Sequence, residues 1–419
     1  MDLKMQEGDV LQHIKNYRQK IEQQLYTIDE HLRATEIERY GGSRTEFYNP
    51  DDHRPMRLAL FLSFFDVSPL EEAMKPYYKR LKGVQYLASM GRTFVFMKIR
   101  QLTPDGMAHH LKTYPTDAEL LGYQRKPDGT FKTPDGETIR YNLKNRFGVD
   151  GIKKIDHAIL IAMQKTAEKL GISFGACCGS DAFPLKAVSS DKDAEFNGYY
   201  EMPGYKAATT ESYNKETGIV PLVGTILGIN DDEGKTLIPH LQELKDCGIH
   251  VKEDFVDGKY ATIGNIAQAE IIEGARLQYN IADNWVYNPD ATLSAIKKEY
   301  QSFHTEPDFT VNASEEFMVK YLVKKECCET VGYMLRNQHI AAKEECPDGY
   351  LDQFHRRNIT ESENDLIKND HGLQQSIRRK GKETIELHFH LAFLALHVLA
   401  LVRLQHDARD HLVSKRGLT

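Results

Sequence analysis

The feature that most limits the fold of this chain is a change of hydrophobic period at residue 172. From residue 56 to about 171, apolar side chains recur at helical spacing, whereas after residue 172 short apolar runs alternate with turn residues. Three consecutive strands are predicted, then helix, strand, helix and strand. The strands are expected at 172–181, 199–213, 219–229, 250–256 and 279–287. This order predicts an α/β fold with a mixed sheet, in which functional residues gather where strands end.

Two of the predicted strands lead into aspartates, and a later helix carries a third acid. Asp181 ends the first strand, Asp257 follows the fourth, and Glu361 lies within a helix expected at 351–376. Three carboxylates that converge repel one another unless cations neutralise them. Mg²⁺ prefers oxygen ligands, and two such ions about 4 Å apart suit in-line phosphoryl transfer. The pattern therefore predicts these three acids as catalytic ligands of two Mg²⁺ or Mn²⁺ ions.

The helix at 351–376 has an acid between two bases on one face. Positions three, four and seven apart share a helix face, so five residues form one stripe. They are Phe354, Arg357, Glu361, Lys368 and Gly372. A solvated helix scatters its charges, so this stripe indicates a metal or phosphate site.

Neighbouring acids compete for two of these assignments. Glu363 is two residues beyond Glu361, so on a helix it points away from the bases. Asp254 lies three residues before Asp257, on the opposite face of the strand. We favour Glu361 and Asp257.

Two further chemistries are weaker alternatives. A zinc site in the region 288–350 would use Cys327, Cys328, His339 and Cys346. These residues contain no Cys-x2-Cys pair, so free or buried thiols are favoured. Trp285, the only tryptophan, could stack on a flipped base, but a core or rim position is favoured.

These motifs resemble the DDE transposases of bacterial and archaeal insertion sequences, in the group with a Tyr-x2-Arg-x3-Glu-x6-Lys motif. Here the match is Phe354-x2-Arg357-x3-Glu361-x6-Lys368, with every spacing kept and Phe at the position of Tyr. Segments 180–187, 199–206 and 256–260, followed by an Asn at 265, resemble the surroundings of the two aspartates. In 256–260 the order Gly-Lys replaces Lys-Gly. The resemblance covers residues 172–405 well and 56–171 loosely.

The resemblance implies an RNase H-like catalytic domain with a mainly β insertion between the second Asp and the Glu. It implies Mg²⁺-dependent cleavage at terminal inverted repeats, strand transfer into target DNA by a two-metal mechanism, and a homodimer on double-stranded DNA. The residues expected to bind DNA are Phe354, Arg357, Lys368, Lys206, Tyr260, Arg378, Arg379 and Lys380. For the basic turn at 378–382, a solvated surface is an equal alternative.

Five regions are expected along the chain. Residues 1–55 form a helical arm and linker; the arm is either a helical hairpin or dimer arm, or part of a DNA-end-binding region. Residues 56–171 are helical and bind DNA ends, with breaks near Pro69, Gly83, Gly91, Pro104 and Pro115 and a hairpin at 126–146. Residues 172–287 begin the catalytic core, 288–350 are an insertion of strands and loops, and 351–419 close the core.

Composition limits the partners and the compartment. The formal net charge is −7, so DNA contacts must come from local basic patches. Six cysteines in 419 residues do not make a disulfide framework. The N-terminus has no apolar run that would indicate a signal peptide, and the apolar segment 387–404 is predicted as a buried helix. A cytoplasmic, nucleoid-associated protein without membrane contact is expected.

Two alternatives to an active transposase remain open. One is a domesticated RNase H-like nuclease or recombinase that cuts without joining, and the other is a catalytically inert DNA-binding relative. The presence of all three carboxylates with Arg357 and Lys368 argues against the inert relative.

Overall fold

The structure, a computed structural model, describes residues 54–79, 85–214, 216–281, 328–346, 380–409 and 412–413, and single residues at 298, 320 and 323. The helices are α1 Arg54–Ser63, α2 Ser68–Met74, α3 Gln85–Ile99, α4 Pro104–Thr113, α5 Pro115–Leu120, α6 Gly136–Tyr141, α7 Gly148–Lys169, α8 Leu237–Asp246, α9 Ile263–Ala267, α10 Cys328–Glu345 and α11 Lys382–Gln405. The strands are β1 Cys178–Lys186, β2 Glu195–Asn197, β3 Met202–Asn214, β4 Gly218–Gly228, β5 Glu253–Val256 and β6 Arg276–Gln278. The chain divides into two compact units, residues 1–155 with 398–419, and residues 156–397.

The described part of the first unit is helical, as predicted. Pro69, Pro104 and Pro115 each lie in the first turn of a helix, where a missing N–H costs little. The break expected at Gly91 is wrong, because this residue lies inside α3. A Cβ at Gly91 would be 2.4 Å from Cδ2 of Leu70, so the glycine is needed for the close packing of α2 against α3.

The hairpin expected at 126–146 is only partly correct. The first Pro-Asp-Gly forms a turn closed by a single bridge between Arg125 and Phe131. The second begins a helix instead, because the Asp135 carboxylate accepts a hydrogen bond from the Thr138 N–H at 2.7 Å and caps α6.

The second unit contains a six-stranded mixed sheet, so the predicted α/β class is correct. The main path is β2-β3-β1-β5-β6, and β4 also pairs with β3. Strand β3 is antiparallel to β1 and β4, whereas β5 is parallel to both β1 and β6. Strand β1 is therefore central, with antiparallel pairing on one side and parallel pairing on the other.

The main differences from the predicted strands concern β1, β2 and β6. Strand β1 starts at Cys178 and continues to Lys186, so Asp181 lies inside it and not at its end. The short strand β2 was not predicted. The last strand among the described residues is β6 at Arg276–Gln278, because Gly274 adopts φ +75° and ends the preceding π-helical turn early; residues 282–287 of the predicted strand lie outside the described residues.

The apolar C-terminal segment forms α11, as a buried core helix. Within the described residues it is the one helix that is long and apolar enough to cross a membrane, and 83% of its most apolar window is buried. Its residue Phe389 packs on β4, where a Cβ at Gly224 would be 2.5 Å from Cζ of that ring.

The expectation of a mainly β insertion is wrong for the part of residues 288–350 that the structure describes. Residues 328–345 form α10, and its buried Val331 and Leu335 are four residues apart, which is helical spacing. Helix α10 packs on α9 so closely that a Cβ at Gly332 would be 2.0 Å from the Ile263 carbonyl oxygen.

This contact predicts opposite effects for two glycine substitutions. Gly332→Ala should lower the free energy of unfolding by roughly 1–3 kcal/mol, because the Ile263 backbone must move to admit the methyl group. Gly264→Ala in α9 meets nothing within 4 Å and should be neutral or stabilising by up to about 1 kcal/mol. Urea denaturation measures both; equal stability of the two variants would contradict the close packing of α9 and α10.

Candidate functional site

Asp181 and Asp257 lie at two neighbouring strands of the second unit, Asp181 inside β1 and Asp257 directly after β5. The parallel register of β1 and β5 pairs Ser180 with Val256, so the two aspartates, each one residue further on, lie at the same level. Because side chains alternate along a strand, both belong to the face opposite Ser180 and Val256. Each aspartate is half-buried, so its carboxylate is within reach of solvent. Both aspartates thus follow the same residue pair of the sheet, and their role as metal ligands stays a prediction.

Most of the other predicted site residues lie outside the described residues. Of the stripe and the basic turn, these are Phe354, Arg357, Glu361, Lys368, Gly372, Arg378 and Arg379. Glu363 and Trp285 also fall there. Lys380 is described and is exposed.

Lys206 and Tyr260, both expected to bind DNA, are buried instead. They are 5% and 1% exposed. The Lys206 ammonium is bound to the Glu233 carboxylate and to the Asp231 carbonyl oxygen. In this conformation neither side chain can reach a DNA backbone, so we assign both a supporting position beneath the site.

The Glu233 carboxylate forms ion pairs with two lysines, one buried and one largely exposed. It is buried with Lys206, and it also accepts a hydrogen bond from Lys259 Nζ at 2.9 Å. The Lys259 side chain is 60% exposed. Burial alone would raise the pKa of Glu233, but the hydrogen bonds from the two lysines, a backbone hydrogen bond and the charge of Lys206 together lower that pKa. Lys259 is thereby held beside Asp257, and the hydrogen bond to Glu233 raises its pKa.

Asn265 fixes the loop that follows Asp257. Its Nδ2 donates to the carbonyl oxygens of Gly234 at 2.7 Å and of Tyr260 at 2.8 Å. A Cβ at Gly234 would be 2.6 Å from the Lys259 carbonyl oxygen, so the two loops are in close contact. The Asp257 carboxylate also accepts a hydrogen bond from the Gly258 N–H. These contacts orient Asp257 and Lys259 together.

Burial and the charged groups of the site together shift the pKa values of two tyrosines. The pKa of Tyr260 is raised well above its usual value by burial and then by the carboxylates of Asp181 and Glu233. Burial also raises the pKa of Tyr200, where Lys259 opposes the effect and Glu233 and Asp181 add to it. Tyr200 therefore lies within electrostatic range of Asp181 and Lys259.

A polar network fills the other face of the sheet beneath the aspartates. Ser180 Oγ donates to Asp254 Oδ2 at 2.9 Å and lies 2.8 Å from Thr210 Oγ1. Thr210 in turn contacts His240 Nδ1 at 3.1 Å, whose Nε2 is 3.0 Å from Thr225 Oγ1. Asp254 is fully buried, and burial raises its pKa to about 7 against a lowering effect of Ser180. Asp254 is thus a core group with no solvent access, which agrees with the preference for Asp257.

Sequence reasoning missed two acids near the site. Glu211 in β3 is 1% exposed and pairs with Gly179, so it shares the face of Asp181. Glu233 begins a short 3₁₀ turn. No sequence signal distinguishes Glu233, because acids are common at the start of helical turns. Glu211 carried a signal, as an acid within an otherwise buried strand.

The described residues supply only part of the ligand set that a hard divalent cation needs. Asp181 and Asp257 supply carboxylate oxygens on one face, which is the ligand type that Mg²⁺ prefers. Among the described residues, no group of three or more His, Cys, Asp and Glu side chains could hold a metal ion. The expected third ligand, Glu361, is outside them. For the zinc alternative, His339 is buried and bound to Glu270 at 2.7 Å, and Cys346 is exposed.

Comparisons with known proteins give no family for this chain and a distant structural similarity. No protein-family model and no curated protein sequence matches the chain. Among solved structures, the chain is similar to a piggyBac transposase synaptic complex with hairpin DNA, at 11% identity and a TM-score of 0.27, covering 87% of this chain and 86% of that one. A TM-score of this size does not establish a shared fold.

The two ion pairs of Glu233, one with the buried Lys206 and one with the exposed Lys259, are predicted to contribute differently to the free energy of unfolding. Glu233→Gln leaves the buried Lys206 ammonium without its carboxylate and should lower the free energy of unfolding by roughly 3–5 kcal/mol. Lys259→Gln removes a largely exposed charge and should cost only about 0–1 kcal/mol. Urea denaturation at neutral pH compares them, and similar losses for both variants would contradict the assignment of Lys206–Glu233 as the buried pair.

The raised pKa of Asp254 predicts a pH dependence of stability. An unfolded chain releases this proton near pH 4, whereas the folded chain holds it until about pH 7. Stability should therefore fall as pH rises between these values and level off above pH 7. Asp254→Asn cannot ionise, so the stability of the variant relative to the unsubstituted protein should rise over that interval by an amount on the order of a few kcal/mol. Parallel unfolding curves of the two proteins from pH 5 to pH 8 would refute the shift.

Proposed function

We propose that the chain is a DDE transposase, a Mg²⁺-dependent enzyme that cleaves DNA at terminal inverted repeats and joins the freed ends to target DNA. The observation that supports the proposal is the parallel register of β1 and β5, in which Ser180 pairs with Val256, each one residue before Asp181 and Asp257. The sequence motif Arg357-x3-Glu361-x6-Lys368 supplies the third acid and its two bases.

The sheet supports an RNase H-like assignment for the second unit. Its first long strand, β1, is central, and the chain then forms the short β2 and the two long antiparallel strands β3 and β4 before helical crossovers return it to the parallel strands β5 and β6. Paired acids on neighbouring parallel strands are suited to nuclease chemistry because both carboxylates face the same substrate phosphate.

Asp181, Asp257 and Glu361 would hold two Mg²⁺ or Mn²⁺ ions. When bound, such ions neutralise the three carboxylates and the negative charge that develops on the phosphate. Lys259, exposed beside Asp257 and anchored by Glu233, would bind a DNA phosphate as a positive charge. Arg357 and Lys368 would bind phosphates near the cleaved end, and Lys206 would support Glu233 from below.

The partner in this proposal is double-stranded DNA, and two copies of the chain would act together because two ends must be joined. The net charge of −7 means that DNA binding depends on local cations such as Lys259 and the exposed Lys380. A cytoplasmic, nucleoid-associated location follows from this role.

Cleavage of DNA that flanks the gene tests the proposal. Asp181→Asn, Asp257→Asn and Glu361→Gln should each reduce Mg²⁺-dependent nicking of a flanking inverted-repeat duplex more than about 100-fold, because residues that only support metal ligands already cost 10–100-fold. Glu363→Gln and the exposed Asp246→Asn are matched controls and should retain activity. Full activity in the Asp181 or Glu361 variant would refute the site.

A strand-transfer assay separates transposition from simple cleavage. Precut ends with a free 3′-hydroxyl should join to plasmid DNA in the presence of the full chain and Mg²⁺. Cleavage without joining would identify a nuclease and would overturn the transposase assignment while leaving the site intact.

A further inference from the structure

An unusual concentration of exposed aromatic rings lies in the β2–β3 hairpin. Within the described residues, five large hydrophobic side chains are exposed, and the two most exposed are Phe196 at 64% and Tyr199 at 86%. Single exposed aromatics are common on protein surfaces, but two that are three residues apart in one hairpin mark an interaction site.

Hydrogen bonds make this hairpin a rigid support. Asn197 Oδ1 accepts from the backbone N–H groups of Tyr199 at 2.9 Å and Tyr200 at 3.0 Å. Asn230 Nδ2 donates to Glu195 Oε2 at 3.0 Å and to the Phe196 carbonyl oxygen at 3.2 Å. The aromatic rings are therefore presented by an ordered turn, so binding a ligand costs little conformational entropy.

The hairpin contacts the loop that leads to Glu233 and Lys259. Asn197 Nδ2 donates to Asn230 Oδ1 at 2.9 Å, and three residues further on Glu233 accepts a hydrogen bond from Lys259 Nζ at 2.9 Å. The Tyr199 and Tyr200 rings meet edge to face, with centroids 5.0 Å apart. Tyr200 lies within electrostatic range of both Asp181 and Lys259. A strand held by Lys259 at its phosphate would thus bring its bases to the neighbouring hairpin.

We propose that Phe196 and Tyr199 form a stacking platform for unpaired bases of the DNA strand bound at Asp181 and Asp257. This inference deepens the proposed function and rests on it. Every nucleobase has a flat apolar face that stacks on an aromatic ring whatever its sequence, whereas bases inside an intact duplex are covered by their neighbours. The platform therefore favours DNA that is opened near the reacting phosphate and discriminates little between sequences.

Equilibrium binding to single-stranded DNA tests the platform independently of cleavage. The probe is an oligo(dT) strand with one 2-aminopurine, whose fluorescence is quenched by stacking, titrated with the full chain in EDTA. The Phe196→Ala/Tyr199→Ala variant should lose the quenching and bind with a Kd raised roughly 5- to 150-fold, the range for loss of one stacked base. Binding to an intact duplex of the same length should be unchanged.

Two controls isolate the stacking role. Phe196→Tyr/Tyr199→Phe keeps both rings and should retain affinity and quenching. Tyr333→Ala removes another exposed ring of the same unit, at 38% exposure, and should also leave them unchanged. Equal single-strand affinity in the double alanine variant overturns the platform alone, whereas failure of the unsubstituted chain to bind any DNA overturns the proposed function itself. Conversion of a dimer to a monomer by the double alanine variant at unchanged affinity would show instead that the rings cover a second copy of the chain, which also overturns the platform.

Discussion

The parallel pairing of β1 with β5 is the constraint on which the candidate site depends. Asp181 and Asp257 are far apart in sequence, and each is ordinary where it stands. The hydrogen-bonded register from Cys178–Asp254 to Ser180–Val256 fixes the relative level of the residues directly before them. A slip of one residue would turn one carboxylate to the opposite face, where Ser180 and Asp254 form the buried network. The register thus separates two aspartates of β5 and its following loop into a surface acid and a core acid.

Buried charge beneath the edge of the sheet adds a second constraint. Lys206 and Glu233 are both withdrawn from water, which costs several kcal/mol for each ion unless the two are paired. Their pairing anchors Lys259 through the same carboxylate, and Asn265 ties the loops of Gly234 and Tyr260 together. The buried Lys206–Glu233 pair therefore restricts the conformation of these loops. The exposed Lys259 remains available to an anionic ligand.

Sequence patterns predicted the strands well where the apolar runs were long. Strands β3 and β4 lie within two residues of the expected starts or ends at most of their boundaries, since each has a turn on either side. The prediction failed at 328–345, because short apolar runs do not distinguish strand from helix, and the buried Val331 and Leu335 of α10 were not recognised as helical. Strand β6 at Arg276–Gln278 was also missed, because Gly274 ends the preceding helical turn earlier than the apolar period alone indicates.

The sequence by itself determined the mixed α/β class and assigned Asp254 and Asp257 to different faces, because strand periodicity assigns residues to faces before any contact is known; the roles of Asp181 and Asp257 stay predictions. Tertiary structure alone decided what Lys206 and Tyr260 do. A lysine in a strand looks the same in sequence whether it faces DNA or a buried glutamate, and its partner Glu233 is 27 residues away along the chain. Exposure of Phe196 and Tyr199 was likewise invisible in sequence, since aromatic residues in a strand usually pack inward. Burial depends on which elements cover a side chain, and that is a property of the assembled sheet.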